Sequence, residues 1–449
     1  MATSQPGSAP SAAMLRAVLL QQALAAHRAG DLDTAEAGYA VLLEQLADDP
    51  LVLNFYGLLC HQRGRNAQGL ELLQRAIQRM PRHAEAHFNR GAIHVAQKEF
   101  VLAEQALRQA CACAPALHKA HAAHAAVLEK LGRWGDAHTS HRALLALPQV
   151  SAQASVALAE FVLRRPDRTP AHLQDAVQSL RSALVLEPME IGRVSRLLVR
   201  SLHLLGQTEE AITACQAWLA GEPNNPSALH ALASHGGAPL PARASDGHVS
   251  ALFDAYAPDF DTMLVQRLGY VAPQLLIQAL TALLPAPRGA LDVLDAGCGT
   301  GLCGPLLQPW ARHLTGVDIS AGMLARAQDR SVYQALERSE LTAYLQANAQ
   351  RFDLIVSADV LIYFGDLGPV LGAAYHALRP GGWLGVTTEL LESGNDAWDL
   401  RPTGRYCHSR THLQNRLAAA GFTVLQTDEL TLRTEANVPV TGLLAVARR

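Results

Sequence analysis

A glycine-rich segment in the second half of the chain has the spacing of a nucleotide-binding loop. Asp295, Gly297, Gly299 and Gly301 follow an apolar run and precede a helical pattern. Glycine permits a tight backbone turn and lets a ligand approach without meeting a Cβ atom. A second apolar run ends in Asp318, where a carboxylate can accept hydrogen bonds from both ribose hydroxyls of an adenosine ligand. The pattern predicts a nucleoside-containing cofactor at the carboxyl edge of a parallel sheet.

The same glycines are also compatible with a second kind of cofactor, a dinucleotide. Gly299, Gly301 and Gly304 also satisfy the dinucleotide pattern GxGxxG, which is weak evidence on its own. Asp295 argues against a dinucleotide, because an anion before the glycines would repel a pyrophosphate but could attract the ammonium of a methionine group. The end of the chain, from residue 421, also indicates a terminal antiparallel pair of strands.

The elements that must position these residues follow from the hydrophobic pattern. Short apolar or β-branched runs alternate with helical stretches in this half of the chain: VLDAG, HLTGVDIS, FDLIVSADVL and WLGVTTEL. Such alternation predicts a doubly wound α/β sheet. Residues 233–247 concentrate glycine, proline, serine and aspartate, and this composition predicts a linker.

The first half of the chain is repetitive. A proline recurs every 31 to 40 residues from Pro50 to Pro223, and a small residue precedes each proline by 11 to 15 residues. This spacing predicts helix–turn–helix units that cross closely at the small residue and end at the proline. The segments resemble the tetratricopeptide repeat, most clearly in residues 84–115. We expect a disordered tail over 1–13 and about six repeats over 14–232.

The second half resembles the class I S-adenosylmethionine-dependent methyltransferases, and the whole chain is similar to bacterial methyltransferases that carry N-terminal tetratricopeptide repeats. The resemblance rests on the glycine motif, on Asp318, and on the stretch Leu378-Arg379-Pro380-Gly381-Gly382 before a further strand. It implies S-adenosylmethionine as the cofactor, and a Rossmann-like domain over 248–449 with a seven-stranded sheet, a terminal antiparallel hairpin and a helical lid over 248–285. The positions expected to bind the cofactor are Asp295, Gly297, Cys298, Gly299, Gly301, Asp318, Ile319, Glu340, Leu341, Ser357 and Tyr256.

Three residues are candidates for catalysis. The methyl group of a sulfonium is already activated, so catalysis consists mainly of alignment, and a base is needed only if the nucleophile arrives protonated. Asp359 and His408 are the candidate bases, and Tyr363 could border the acceptor. His408 could equally pack or cap a helix near Ser409. The stretch with Phe253, Tyr256 and Phe260 could form the lid or simply pack as an amphipathic helix.

Composition excludes several classes of function. The formal net charge is −3, without the basic excess that nucleic-acid binding demands. No apolar run is long enough to span a membrane, and the seven cysteines lack a CxxC pair, so we expect reduced thiols in a cytoplasmic protein. His118, His121 and His124 lie on one helix, where packing is a better interpretation than zinc binding, and no metal is predicted.

The fold and cofactor do not name the acceptor. A small molecule or a protein side chain fits the composition best. The repeats predict a groove for a protein or peptide partner, or a surface for self-association, although they could also be a scaffold for the catalytic domain alone. The alternative function is an adaptor whose α/β domain senses the cofactor without turnover.

Overall fold

The computed structural model describes most of the chain and divides it into two compact units, Met1–Leu197 and Leu198–Arg449. The described residues are 12–46, 48–148, 151–186, 191–258, 260–262, 264, 268–284, 286–392, 397–435 and 438–449. Residues 1–11 of the expected tail, Pro188 of the proline series and Asp259 of the expected lid lie outside them.

Helices make up the first unit and the start of the second. They are α1 (Ala12–Ala29), α2 (Leu32–Gln45), α3 (Pro50–Gln62), α4 (Asn66–Arg79), α5 (Ala84–Ala96), α6 (Phe100–Cys113), α7 (His118–Lys130), α8 (Trp134–Leu145), α9 (Ala152–Arg164), α10 (Pro170–Leu186), α11 (Ile191–Leu204), α12 (Thr208–Gly221) and α13 (Pro226–Ser234). The division between the units falls inside α11.

The turns inside these helix pairs have a left-handed backbone. Gly30, Gly64, Gly132 and Gly206 have φ between 69° and 81°, and Lys98 has φ 61° at the corresponding turn. A glycine also marks a close crossing of two helices. A Cβ added to Gly91 of α5 would lie 2.7 Å from the Leu107 Cγ of α6.

The three histidines of α7 make contacts that fit a packing role. The His121 ring lies 2.9 Å from the carbonyl oxygen of Pro115, and His124 Nδ1 lies 3.0 Å from the Ser140 hydroxyl of α8. His118 contacts the carbonyl oxygen of Pro148 at 2.8 Å. No cluster of three metal-ligating side chains occurs among the described residues.

A nine-stranded sheet dominates the second unit. Its strands are β1 (Leu291–Ala296), β2 (Ala311–Asp318), β3 (Ala335–Arg338), β4 (Phe352–Ser357), β5 (Leu378–Leu390), β6 (Trp398–Leu400), β7 (Tyr406–His408), β8 (Thr423–Glu435) and β9 (Val438–Arg448). The order is β3-β2-β1-β4-β5-β7-β6, with β9 also beside β5 and β8 beside β9. Strands β1 to β5 pair in parallel, whereas β8 and β9 form the predicted antiparallel hairpin.

The expectation of seven strands was wrong, because an additional hairpin joins the sheet after β5. Strand β4 pairs with β5 as far as Ser357, opposite Val386. Beyond that point β5 continues to Leu390, and its last two residues pair with β7, which in turn pairs with β6. Three-residue strands carry too little alternation to be predicted from sequence.

Helices cover both faces of the sheet. They are α14 (Asp246–Tyr256), α15 (Ala272–Leu283), α16 (Gly304–Leu307), α17 (Ala321–Asp329), α18 (Leu341–Ala347), α19 (Gly368–Ala377) and α20 (Arg410–Ala419). Side chains of β1 alternate between two cores: Val293 packs with α15 and α16, whereas Leu294 packs with α18, α19 and α20. Alternation on a buried strand therefore fixes which residues face each helical layer. None of the described helices is long and apolar enough to cross a membrane.

The short helix α13 packs directly on the α/β domain. The ring of His230 donates a hydrogen bond to the carbonyl oxygen of Gly404, at 2.8 Å, in the turn between β6 and β7. The same ring stacks on His248 of α14, with the ring centroids 4.3 Å apart. Burial lowers the pKa of His230, so its ring stays neutral near pH 7. The helix is therefore an integral part of the second unit.

Residues of the expected linker also bond to this domain. The carbonyl oxygen of Ala242 accepts hydrogen bonds from the backbone nitrogens of Gly365 and Asp366, each at 2.8 Å. The Tyr406 hydroxyl of β7 donates to the carbonyl oxygen of Pro241 at 2.9 Å. The segment between α13 and α14 thus follows a fixed path across the hairpin and the end of β4.

Replacing His230 with alanine tests this attachment. The variant leaves the Gly404 carbonyl without its donor, so we expect the free energy of unfolding to fall by roughly 1–3 kcal/mol. Urea denaturation of the full chain measures the change. The exposed His313 of β2 provides the matched control, and an equal effect of the two alanine variants would contradict the packing role of His230.

Candidate cofactor and acceptor site

The glycine loop turns sharply at the carboxyl end of β1. The backbone nitrogens of Gly297 and Cys298 both donate to the carbonyl oxygen of Val317, at 2.8 and 2.9 Å, and tie the loop to β2. Gly297 has φ 75°, and a Cβ there would lie 2.3 Å from the side chain of Val360. Gly299 has φ 53°, but a Cβ there would meet no atom within 4 Å. The loop therefore presents open backbone, of the kind a nucleoside ligand needs.

Asp318 organises the loop from the end of β2. Its Oδ2 accepts a hydrogen bond from the Gly299 nitrogen, and its Oδ1 accepts one from the Ser320 nitrogen, both at 2.9 Å. Each carboxylate oxygen has a second lone pair, so the side chain can still accept bonds from two hydroxyls. Burial raises the pKa of Asp318. This arrangement suits the two ribose hydroxyls of an adenosine group.

Asp295 is a buried acid at the end of β1. The hydroxyl of Tyr333 donates to its Oδ2 at 2.7 Å, and no other donor contacts this carboxylate among the described residues. Burial raises the pKa of Asp295 to about 7, and the nearby charge of Asp318 adds to that rise. A buried carboxylate with one neutral partner favours a cation beside it, and the ammonium of S-adenosylmethionine has that charge.

The other predicted cofactor residues lie along the same edge. Glu340 caps α18, because its carboxylate oxygens accept from the Thr342 and Ala343 nitrogens at 3.0 and 2.8 Å. Leu341 begins that helix and is buried in the core. The backbone carbonyl of Ile319 accepts a bond from Arg338 at 3.1 Å.

Two of the predicted residues have buried side chains that face the protein. The Ser357 hydroxyl donates to the carbonyl oxygen of Ala296 at 3.0 Å and joins the ends of β4 and β1. The thiol of Cys298 is buried, and burial raises its pKa. Backbone atoms are the groups through which Cys298 can contact a ligand.

The segment around α14 is fastened to both cofactor-binding turns. Asp254 accepts hydrogen bonds from the Ser320 hydroxyl and the Gly322 nitrogen, at 2.5 and 3.1 Å, beside Asp318. Asp261 accepts from the Thr300 hydroxyl of the glycine loop at 2.5 Å.

These contacts connect the α14 stretch to the turns that follow β1 and β2. Phe253 meets the ring of Tyr363 edge-on, at 5.4 Å between centroids, and Tyr256 is exposed on the same helix. Asp254 and Asp261 belong to the expected lid stretch, but no sequence pattern predicts their contacts.

Asp359 lies at the end of β4 in a buried network of charges. Its backbone has φ 55°, a left-handed conformation that is uncommon for a residue other than glycine. Its Oδ1 accepts from the Thr387 hydroxyl at 3.1 Å, and its Oδ2 accepts from Arg433 at 2.8 Å. Burial raises the pKa of Asp359, although Arg433 opposes that rise.

Arg433 connects three carboxylates. Besides Asp359 it forms ion pairs with Glu389 of β5 and, at 2.8 Å, with Glu435 of β8. Arg405, in the turn before β7, bridges Glu389 and Glu435 at 2.5 and 2.7 Å. The guanidinium of Arg433 is buried, so these ion pairs form an internal network.

His408 is fully buried beside this network. Its Nδ1 lies 2.8 Å from the Thr388 hydroxyl, and its Nε2 lies 3.2 Å from the carbonyl oxygen of Gly365. Burial lowers the pKa of His408 to about 4. With both ring nitrogens engaged, His408 fits the packing interpretation better than a role as base. The adjacent Ser409 caps α20 through the His412 nitrogen.

Tyr363 ends a short 3₁₀ turn, Leu361–Tyr363, beyond Asp359. Its ring packs edge-on against the ring of Phe253 of α14. No local sequence pattern points to Tyr333, Thr387 or Arg405, because their partners lie 16 to 38 residues away along the chain.

Comparison with known proteins agrees with the two predicted parts. Residues 269–427 match the family model of a methyltransferase domain, and residues 62–118 match that of a tetratricopeptide repeat. Human methyltransferase-like protein 27 is 35% identical over 143 residues, which are 31% of this chain and 58% of that protein. Malonyl-[acyl-carrier protein] O-methyltransferase of Enterobacter lignolyticus is 35% identical over 156 residues, 33% of this chain and 61% of that protein. The chain thus spans about three fifths of the length of these relatives.

Among solved structures, an S-adenosylmethionine-dependent methyltransferase from Mesorhizobium loti has 26% identity and a TM-score of 0.32, over 38% of this chain and 96% of that one. The two family models thus identify a tetratricopeptide repeat followed by a methyltransferase domain in this chain. The open glycine loop, Asp318 and Asp295 fit S-adenosylmethionine as the cofactor of this domain.

The role of Asp318 can be tested by replacing it with alanine. The variant loses the ribose acceptor and also the acceptor for Gly299 and Ser320, so we expect calorimetry to detect no binding of S-adenosylmethionine. Asp329→Ala removes an exposed acid from the nearby α17 and is the control. Unchanged affinity in Asp318→Ala would contradict this assignment.

The raised pKa of Asp295 predicts pH-dependent cofactor binding. An α-ammonium has a pKa of about 7.7–8.0, so it stays charged below pH 7 while Asp295 becomes protonated. We expect the affinity for S-adenosylmethionine to rise from about pH 5.5 to 7, by up to roughly tenfold per unit, with proton release on binding. Calorimetry in buffers of different ionisation enthalpy measures both quantities.

The control for this pH dependence is Asp295→Asn, which should bind more weakly and with a flat profile. The stability of the ligand-free fold changes with pH in the opposite direction to the cofactor affinity. The raised pKa stabilises the ligand-free fold below about pH 4, and that contribution is lost as pH rises through about 7. A flat affinity profile in the unmodified protein would refute the role of Asp295.

Proposed function

We propose that the protein transfers the methyl group of S-adenosylmethionine to a small-molecule or protein acceptor. The observation that carries this proposal is the arrangement of Asp318 and Asp295 on either side of an open glycine loop. One acid faces the position of a ribose, and the other is a buried site for a cation. A cytoplasmic location is part of the same proposal and rests on the composition of the chain.

Alignment is the main contribution that the residues of this chain can make. The bound cofactor supplies an activated methyl group, so the protein needs to hold the acceptor in line and exclude water. The lid residues Phe253 and Tyr256, with Tyr363 behind them, supply the apolar cover. Asp359 is the candidate base for an acceptor that arrives protonated, because its buried carboxyl has a raised pKa.

The repeat array is proposed to bind a protein or peptide partner, or a second copy of the chain. Stacked helix pairs form extended surfaces that carry no chemistry of their own. A groove between α4, α5 and α6 combines apolar and polar side chains: Leu70, Glu71, Gln74, Arg90, His94, Leu102 and Gln105. This combination suits a peptide better than a small metabolite.

One observation favours the alternative, an adaptor that binds the cofactor without turnover. Both candidate bases are engaged by the protein: Asp359 by Arg433 and Thr387, and His408 by Thr388 and a carbonyl oxygen. An acceptor that needs no base remains compatible with catalysis. The two functions differ only in whether methyl transfer occurs.

Titration of the full chain with S-adenosylmethionine, S-adenosylhomocysteine and NADH tests the proposal first. We expect the two sulfur nucleosides to bind and NADH to fail, because Asp295 would repel a pyrophosphate. Binding of NADH alone would overturn the cofactor.

Incubation with methyl-labelled S-adenosylmethionine and fractionated metabolites or proteins then tests turnover. We expect label in one acceptor fraction with the unmodified protein and none with Asp318→Ala. Cofactor binding without labelling of any fraction would leave the adaptor as the better account.

A further inference from the structure

Arg90 of α5 is a half-buried cation that lacks a carboxylate partner. Its side chain lines the groove between α4, α5 and α6, where its Nη1 donates to the Oε1 of Gln74 at 3.2 Å. Burial lowers the pKa of Arg90, and no acid among the described residues opposes that shift, whereas Arg65 pairs with Glu36 at 2.7 Å. A partly desolvated charge is costly without an opposite charge beside it, so the groove favours an anion that arrives from outside.

The next repeat shows which group is missing beside Arg90. Helices α6 and α7 lie 34 residues after α4 and α5 in the chain, so His124 and Glu104 take the places of Arg90 and Leu70. The ring of His124 lies 3.5 Å from the carboxylate of Glu104, which also pairs with Arg133 at 3.4 Å. The later repeat therefore supplies its own acid, whereas the earlier one has a leucine in that place.

The uncharged side chains of the groove suit a peptide. Leu70 and Leu102 supply apolar contacts, and Leu102 is 46% exposed. The amide groups of Gln74 and Gln105 line the same groove and offer donors and acceptors to a main chain. Two amides in a groove with one cation suit a chain that continues past its acid. An aspartate or glutamate inside a segment therefore fits better than the carboxylate of a chain end.

The groove also limits how many acids the ligand can carry. Glu71 of α4 belongs to its lining and is exposed, without an ion pair among the described residues. Like charges repel, so Glu71 would disfavour a second acid close to the first. A segment with one acid between apolar residues fits this groove, whereas an acidic tract fits it poorly.

We propose that the groove binds a segment of a partner protein in which a single aspartate or glutamate pairs with Arg90 and its apolar neighbours contact Leu70 and Leu102. The inference rests on the proposed function, because it specifies the partner of the repeat array. It adds the chemistry of that partner, whereas the proposed function names only a protein or peptide.

Arrays of nine-residue peptides, blocked at both ends, test this inference with the labelled full chain. The positions around a fixed central aspartate vary over apolar and neutral polar residues. Matched arrays carry a central asparagine, three aspartates in a row, or asparagine with a free terminal carboxylate. We expect the full chain to select aspartate peptides with apolar neighbours. In titrations followed by fluorescence anisotropy, asparagine should weaken their binding by roughly ten- to hundredfold, the range for a hydrogen bond to a charged group.

Variants of the full chain assign the binding to Arg90. Arg90→Gln should weaken the selected aspartate peptides by the same factor. Arg82→Gln removes an exposed arginine before α5 and is the matched control, with unchanged binding expected. Leu70→Glu places an acid where the next repeat has Glu104, so it should also prevent binding by pairing with Arg90. Thermal unfolding of each variant identifies any loss of binding that comes from a loss of fold.

Every other outcome overturns the inference. Equal binding of the asparagine peptides would remove the need for an acid, and equal binding by Arg90→Gln would place the peptide elsewhere. Selection of the terminal carboxylate would replace the internal acid. Preference for three aspartates, lost equally in Arg82→Gln, would indicate general charge attraction. Failure of every peptide to bind would overturn this inference and the peptide partner, whereas methyl transfer is measured separately with labelled S-adenosylmethionine.

Discussion

A buried guanidinium, that of Arg433, connects the strand ends from which the site is built. It pairs with carboxylates on the end of β4, on β5 and on its own strand β8. Leaving one of these buried charges without its partners costs much free energy, whereas the intact network is hardly more stable than apolar packing of the same volume. Such a cluster therefore constrains geometry more than it adds stability. The register between β5 and the terminal hairpin, and the position of Asp359, are therefore coupled to one side chain.

The balance of charge in this network bears on what can bind beside it. Arg433 and Arg405 face three carboxylates, so one negative charge is left over, or none when Asp359 is protonated. A sulfonium and an ammonium suit this edge of the sheet, whereas an anionic acceptor would meet no uncommitted arginine within the cluster.

How much the sequence predicts depends on how local each signal is. The glycine loop and Asp318 are local, because a strand, a turn and a helix start follow one another within a short stretch, and both lie where they were expected. The hairpin β6–β7 and the Arg433 network depend on pairings between distant residues: Arg433 lies 74 residues from Asp359. Packing is one of the two roles that the sequence allows for His408, but the burial of both ring nitrogens could not be predicted from the sequence.

The additional hairpin connects helix α13 to the site within the second unit. Helix α13 bonds to Gly404, and the next residue, Arg405, bridges Glu389 and Glu435 beside Asp359. The chain between α13 and α14 meanwhile bonds to Gly365, whose carbonyl oxygen accepts the contact from His408. Two short paths of covalent and hydrogen bonds therefore connect α13 to the ion-pair network around Asp359. Such a connection can carry energy only if the hairpin has two arrangements, since coupling requires an element with two states that both ends bias.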